Sequence, residues 1–127
     1  MLLSLFSMNK PDVDPRWIVL ESDEVLEQIL IDQSDKPIVL YKHSITCGIS
    51  AAVKKDLKKK WSFDKDEFSF YYLDLINHRD LSNKIEQRLN VQHESPQIIV
   101  VRNGKVLYHA SHGNISMKKI KRALNSK

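Results

Sequence analysis

Cys47 is the only cysteine among 127 residues, and it lies in His43-Ser44-Ile45-Thr46-Cys47-Gly48-Ile49-Ser50. Upstream, Ile38-Val39-Leu40-Tyr41 is apolar and rich in β-branched residues, the composition of a buried strand. Downstream, Ala51-Ala52-Val53-Lys54-Lys55-Asp56-Leu57 reads as helix. A thiol at such a junction faces the first unbonded N–H groups of the helix and the positive end of its dipole. Both favour thiolate, the nucleophilic form, over a free thiol of pKa ~8.5. With no second cysteine an internal disulfide is impossible, so a dithiol cycle is excluded. One-thiol exchange remains: Cys47 attacks a mixed disulfide, takes over the small-thiol adduct, and is cleared by an external thiol. The bland alternative is an inert core residue, since free cysteine is among the most buried residue types.

Few other residues carry comparable chemistry. Ser50, one turn after Cys47, reads either as a hydrogen-bond donor to the thiolate or as an ordinary first-turn serine. Lys42 and His43 precede the thiol, but strand alternation gives them no defined part in tuning it. Ser95-Pro96 stands directly before Gln97-Ile98-Ile99-Val100-Val101, where a proline suits a cis bond at the mouth of a strand. His109 and His112 lack a cysteine or acidic third ligand, so they read as a polar strand end and no metal is expected. Asp74 and Asp80 read as a strand-end residue and a helix cap. Lysines cluster at Lys54-Lys55 and Lys58-Lys59-Lys60 and again at Lys118-Lys119 and Lys121-Arg122. They fit the solvated faces of two helices; a weaker reading has the first cluster steering an anionic partner toward Cys47.

The elements that must hold these residues follow from periodicity and turn signals. Pro11 and Pro15 mark irregular chain, and Trp17-Ile18-Val19-Leu20 is a short strand. Ser22-Asp23-Glu24 opens a helix carrying Val25, Leu26, Ile29 and Leu30, which Asp35-Lys36-Pro37 ends. The helix after Cys47 spaces Ile49, Val53 and Leu57 as a buried stripe and stops near Trp61. Phe68 to Asp74 is an aromatic-rich strand. A third helix, capped by Asp80, carries Leu81, Ile85 and Leu89. Asn103-Gly104 predicts a hairpin returning through Lys105 to His109, and Ser116 caps a last helix with Met117, Ile120 and Leu124. Alternating strands and helices closed by a hairpin predict an α/β fold. Its central mixed sheet has parallel strands plus a C-terminal antiparallel hairpin, and helices flank it. This is the element order of the thioredoxin-like fold.

Totals agree with one domain. The chain is 42% hydrophobic and 28% charged, with neither repeats nor an apolar run long enough to span a membrane. Residues 1–15 read as a poorly ordered N-terminal extension and 16–127 as the domain. Met1-Leu2-Leu3-Ser4-Leu5-Phe6 lacks the basic n-region and cleavage site of a signal peptide. A single cysteine does not suit an oxidised secreted scaffold, so a cytoplasmic location is expected. The excess of 20 Lys+Arg over 16 Asp+Glu is too small to argue for nucleic acid.

From Trp17 to Leu124 the chain resembles the YtxJ-type monothiol bacilliredoxins. Four stretches carry the resemblance together: Lys42 to Ser50, Phe70-Tyr71-Tyr72-Leu73, Val91-Gln92-His93-Glu94-Ser95-Pro96-Gln97, and His109-Ala110-Ser111-His112-Gly113. It implies a thioredoxin-like oxidoreductase that removes bacillithiol from S-bacillithiolated cytoplasmic proteins. Cys47 would be the nucleophile in an environment set by Thr46, Gly48 and Ser50. Pro96 would be a cis-proline that, with Ser95, binds substrate. No cofactor would be tightly bound; bacillithiol would be the small-thiol co-substrate, and bacillithiol itself or a separate reductase would clear Cys47. The family usually has proline where this chain has Gly48. That glycine brings Cys47-Gly48-Ile49-Ser50 close to the C-G-F-S motif of monothiol glutaredoxins, which hold a [2Fe–2S] cluster between subunits with glutathione. Against that stand a lone Gly113 in place of a double glycine, and Glu94-Ser95-Pro96 in place of a T-V-P approach. A thioredoxin-like interaction module with an inert cysteine is the third reading.

Overall fold

The computed structural model describes residues 13–44, 48–63 and 67–125. In chain order the elements are β1 (Ile18–Val19), α1 (Asp23–Ile31), β2 (Ile38–His43), α2 (Gly48–Lys59), β3 (Ser69–Asp74), α3 (Arg79–Leu89), β4 (Gln97–Arg102), β5 (Lys105–Ser111), a single 3₁₀ turn (His112–Asn114) and α4 (Met117–Leu124). The sheet order is β1-β3-β2-β4-β5. β2 is the middle strand, parallel to β3 and antiparallel to β4, and all of its residues are buried. β1 extends the sheet parallel to β3, and β5 closes it antiparallel to β4. This is the mixed, two-sided thioredoxin-like arrangement that the element order predicts.

Alternation along β2 divides the core into two layers. Val39 and Tyr41 point to the face covered by α2 and α4, among Val53, Leu57, Met117 and Ile120. Ile38 and Leu40 point to the opposite face, among Leu26 and Ile29 of α1 and Leu81 and Ile85 of α3. The local signals act as their chemistry dictates. Ser22 Oγ accepts from Val25 N at 3.1 Å and Ser116 Oγ from Lys119 N at 3.2 Å, capping α1 and α4. Asn103 (φ 53°) and Gly104 (φ 73°) both take the left-handed conformation that a two-residue type I′ turn needs.

Three details depart from the sequence reading. Asp80 lies inside the first turn of α3, whose N-cap is His78 with no side-chain capping bond. Ile49 is 51% exposed, and the buried stripe of α2 is Ser50, Val53 and Leu57. The spacing of Ile49, Val53 and Leu57 every four residues drifts around a helix, so its first member turns to solvent. β5 runs on to Ser111, two residues beyond His109.

Residues 1–12 of the expected N-terminal extension lie outside the described residues, and residues 13–15 run against the domain. Val13 packs against the first core layer, and Asp14 is buried, accepting from Arg16 N at 2.8 Å and Arg16 Nη2 at 2.6 Å. The same guanidinium donates to the Lys58 carbonyl at 3.1 Å, fastening this segment to α2. Trp17 then enters an aromatic cluster, with ring centroids 5.6 Å from Tyr41, 6.0 Å from Trp61, 5.1 Å from Phe70 and 5.8 Å from Tyr72. Its 5% exposure means that truncation opens a cavity with partners on every side. Trp17→Ala is therefore expected to cost about 3–5 kcal/mol in urea unfolding, and Trp17→Phe less than half as much.

Candidate active site

α2 begins at Gly48, the residue bonded to Cys47. Cys47 and Thr46 themselves, with Ile45, lie outside the described residues. The residues that bracket them are tied together: Ser44 N donates to Ser50 Oγ at 3.5 Å, and Ser50 is completely buried. The hydroxyl one turn after the thiol position is thus engaged by the backbone that leads into it. No acidic residue stands in the first turn of α2, so the positive end of its dipole is not offset there. A Cβ built on Gly48 meets nothing within 4 Å. Glycine is not sterically required at that position.

The end of β2 supplies two buried ionisable side chains on opposite faces of the sheet. His43 is 3% exposed and faces the α2 layer, its Nδ1 3.3 Å from the Tyr41 hydroxyl and its ring 5.5 Å from that of Tyr72. Burial pulls its pKa down to about 4; the Lys54 charge adds to this and Asp74 opposes it. His43 is therefore a neutral imidazole at pH 7. Asp74, its partner in the β2–β3 register, accepts from Ile76 N at 3.1 Å and Asn77 Nδ2 at 2.7 Å. It closes the strand end and takes no acid–base part that the geometry supports.

Lys42 faces the other layer and is fully buried. Its Nζ lies 3.4 Å from His93 Nδ1 and 3.5 Å from the Ser82 carbonyl, and desolvation lowers its pKa to about 8 against a raising influence from Glu86. Ser82 Oγ is also within 2.8 Å of His93 Nδ1. Lys42 Nζ and Ser82 Oγ thus converge on His93 Nδ1. Burial and the Lys42 charge lower the pKa of His93. His93 N donates to Glu86 Oε2 at 2.5 Å. Through these contacts Lys42 and α3 hold the loop that carries Ser95 and Pro96.

The Ser95–Pro96 peptide bond is cis. Gln97 Nε2 donates to the Gln92 carbonyl at 2.9 Å, closing the loop on itself, and the Pro96 carbonyl accepts from His112 N at 2.9 Å. Ser95 Oγ and Gln97 Oε1 are buried without a hydrogen-bond partner among the described residues. Gln97 pairs with Lys42 in the β2–β4 register, which brings this loop beside the strand end that leads to Cys47. Of the predicted site residues, the fold therefore joins Ser50, Ser95 and Pro96 to the ends of β2 and β4, with Gly48 opening α2. Lys42, Ser82 and His93 were not recognised from sequence as a unit. The available signal was a lysine and a histidine ending an otherwise apolar strand. His109 and His112 are both exposed, and among the described residues no cluster of three His, Cys, Asp or Glu side chains is placed to hold a metal. Nor is any described helix long and apolar enough to cross a membrane.

Residues 18–120 match the family model of the monothiol bacilliredoxin BrxC. Among solved structures, a proposed oxidoreductase with a thioredoxin fold is similar at 34% identity and a TM-score of 0.67, covering 84% of this chain and 91% of its own. Thioredoxin from Trypanosoma brucei brucei superposes with a TM-score of 0.68 at 19% identity, covering 91% of this chain and 94% of its own. The Malassezia sympodialis thioredoxin gives 0.66 at 17% identity, covering 91% and 96%. The two thioredoxins establish the fold alone.

Two predictions follow from the buried strand end and the open space at Gly48. A neutral buried His43 means that the unfolded chain binds more protons between pH 6.5 and about 4. That contribution to stability is complete above pH 6.5 and is lost as pH falls through this window. Replacing the imidazole removes it, so urea unfolding at pH 4.5 and pH 7 should show a fall that is about 1–3 kcal/mol smaller in His43→Phe than in wild type. Gly48→Pro, the usual residue of the similar family, should raise stability by about 0.4–1 kcal/mol, read as a shift of the urea midpoint at unchanged slope.

Proposed function

This chain belongs to the monothiol bacilliredoxin family, and from that premise we propose that it removes bacillithiol from S-bacillithiolated cytoplasmic proteins through Cys47. Its chemistry is thiol–disulfide exchange on a thioredoxin-like fold. In the proposed cycle the Cys47 thiolate attacks the bacillithiol sulfur of a mixed disulfide. A new S–S bond forms between Cys47 and bacillithiol, the old one breaks, and the protein substrate leaves as its thiolate. No net oxidation occurs in this step. A second thiolate, from free bacillithiol or a separate reductase, then attacks the adduct and returns Cys47 to its reduced form. No tightly bound cofactor takes part; bacillithiol is a co-substrate.

The observation that carries this reading is the setting of the only thiol. It is bonded to the first residue of α2, whose first turn has no acid, and β2 runs into it beside the loop of cis-Pro96. An uncompensated helix N-terminus supports a depressed thiol pKa. The same loop offers substrate backbone a partner in the main chain of Ser95, the residue before cis-Pro96. Thr46, Gly48 and Ser50 complete the immediate surroundings in sequence.

Incubation with a bacillithiolated model protein, followed by intact mass measurement, tests the proposal. Wild type should gain one bacillithiol adduct while the model protein loses it, and Cys47→Ser should gain none. Equal uptake from glutathionylated and bacillithiolated forms of the model protein would argue for the glutaredoxin reading, and a thiol that reacts with electrophiles only above its ordinary pKa would argue for the inert module.

A further inference from the structure

A groove of about 660 Å³ runs along α2 from the end of β2. Lys54, Lys55, Lys58 and Lys59 line it, with His43 at one end and Arg16 at the other. Ala51 forms part of its wall next to His43. Ala51, Lys54, Lys55 and Lys58 follow one another at helical spacing along α2. The groove therefore descends one stripe of the helix that opens at Gly48, the residue bonded to Cys47. None of the lining residues is acidic. Asp14 is committed to Arg16. Asp74, beside His43 in the β2–β3 register, accepts from Ile76 N and Asn77 Nδ2, and Asp56 of α2 forms its ion pair with Lys60. His43 is neutral, so the positive charge of the groove is that of the lysines.

We propose that this groove is the subsite for the small thiol, and that Lys55 and Lys58, with Lys54, hold its carboxylates while its sulfur reacts at Cys47. The inference rests on the exchange reaction proposed above and names which part of the mixed disulfide is recognised. Size is compatible with a small molecule, since about 660 Å³ of open groove has the volume of a metabolite-sized site. Reach agrees as well. From Gly48 to Lys55 α2 rises about 10 Å, and a thiol of roughly tripeptide length spans about the same distance. Carboxylates are the matching chemistry, because lysine ammonium groups recognise them as point charges without demanding one fixed orientation. The protein partner of the disulfide then docks on the other side, at the Pro96 loop, and the two halves of the substrate separate as the S–S bond is exchanged.

The test uses one cysteine peptide linked either to bacillithiol or to mercaptoethanol, with the exchange rate on the full chain followed by quenched mass measurement. Wild type should prefer the anionic adduct, and added salt should erode that preference. Lys55→Gln with Lys58→Gln should reduce the bacillithiol-to-mercaptoethanol rate ratio by roughly 3- to 10-fold, and Lys55→Glu at its exposed position should reduce it further. Lys118→Gln with Lys119→Gln, which makes the same change of net charge on α4, should leave the ratio unaltered. An unchanged ratio in the α2 variants would overturn the groove assignment while leaving de-bacillithiolation intact. Repeating the comparison on an acidic and a basic version of the peptide should give the same ratio; a rate that follows the charge of the peptide rather than the adduct would also overturn the assignment, by giving the lysines to the protein substrate. If wild type takes up neither adduct, the exchange reaction itself fails and the subsite with it.

Discussion

Burial of the polar end of β2 is the constraint around which the site is built. Ile38 to Tyr41 alternate between two apolar layers, and this strand has neighbours on both edges. Lys42 and His43 continue it and are therefore forced into the same double burial. A buried charge is costly unless paired, and the two residues resolve that cost differently. Lys42 keeps enough of its proton at neutral pH to donate, with the His93 nitrogen, the Ser82 carbonyl and the field of Glu86 around it. His43 gives its proton up and sits against Tyr41 and Tyr72 as a neutral ring.

These two solutions organise the two sides of the reaction centre. The Lys42 contacts reach across the α3 layer to His93, and His93 lies in the loop that ends at cis-Pro96. The cis-Pro96 loop is thereby fastened to the strand that leads toward Cys47 in the sequence, which limits how far the two can drift apart. On the other face, a neutral His43 leaves electrostatic control to α2. Its dipole is unopposed in the first turn, and its lysines follow along one stripe. A protonated His43 would add charge beside Lys54, and that repulsion helps to hold the imidazole neutral.

Much of this was legible in the sequence because local signals agreed with global needs. Ser22 and Ser116 cap helices, Asn103-Gly104 turns the hairpin, and apolar alternation gives both layers. The element order then leaves few arrangements of the sheet. What escaped were features decided by tertiary geometry. Periodicity at intervals of four placed Ile49 in the core, whereas helical drift exposes it and buries Ser50 in its stead. Asp80 has the chemistry of a cap, yet the N-cap of α3 lies two residues earlier at His78. The Lys42–His93 contact joins residues 51 apart in sequence, and no short-range pattern announces a pair at that distance.

Ser50 brings the mechanism and the fold together. In a dithiol protein its position would hold the second thiol, and the loss of that thiol could be read as simple erosion of a motif. Its environment argues otherwise. The side chain is fully buried, and its oxygen accepts from the backbone N–H of Ser44, which precedes Cys47 in the sequence. The hydroxyl therefore does structural work that a thiol, a weaker acceptor, would do less well. A chain built this way has its resolving position closed to solvent and occupied by a hydrogen bond. With one cysteine in the chain, the thiol that clears the proposed Cys47 adduct comes from outside the molecule.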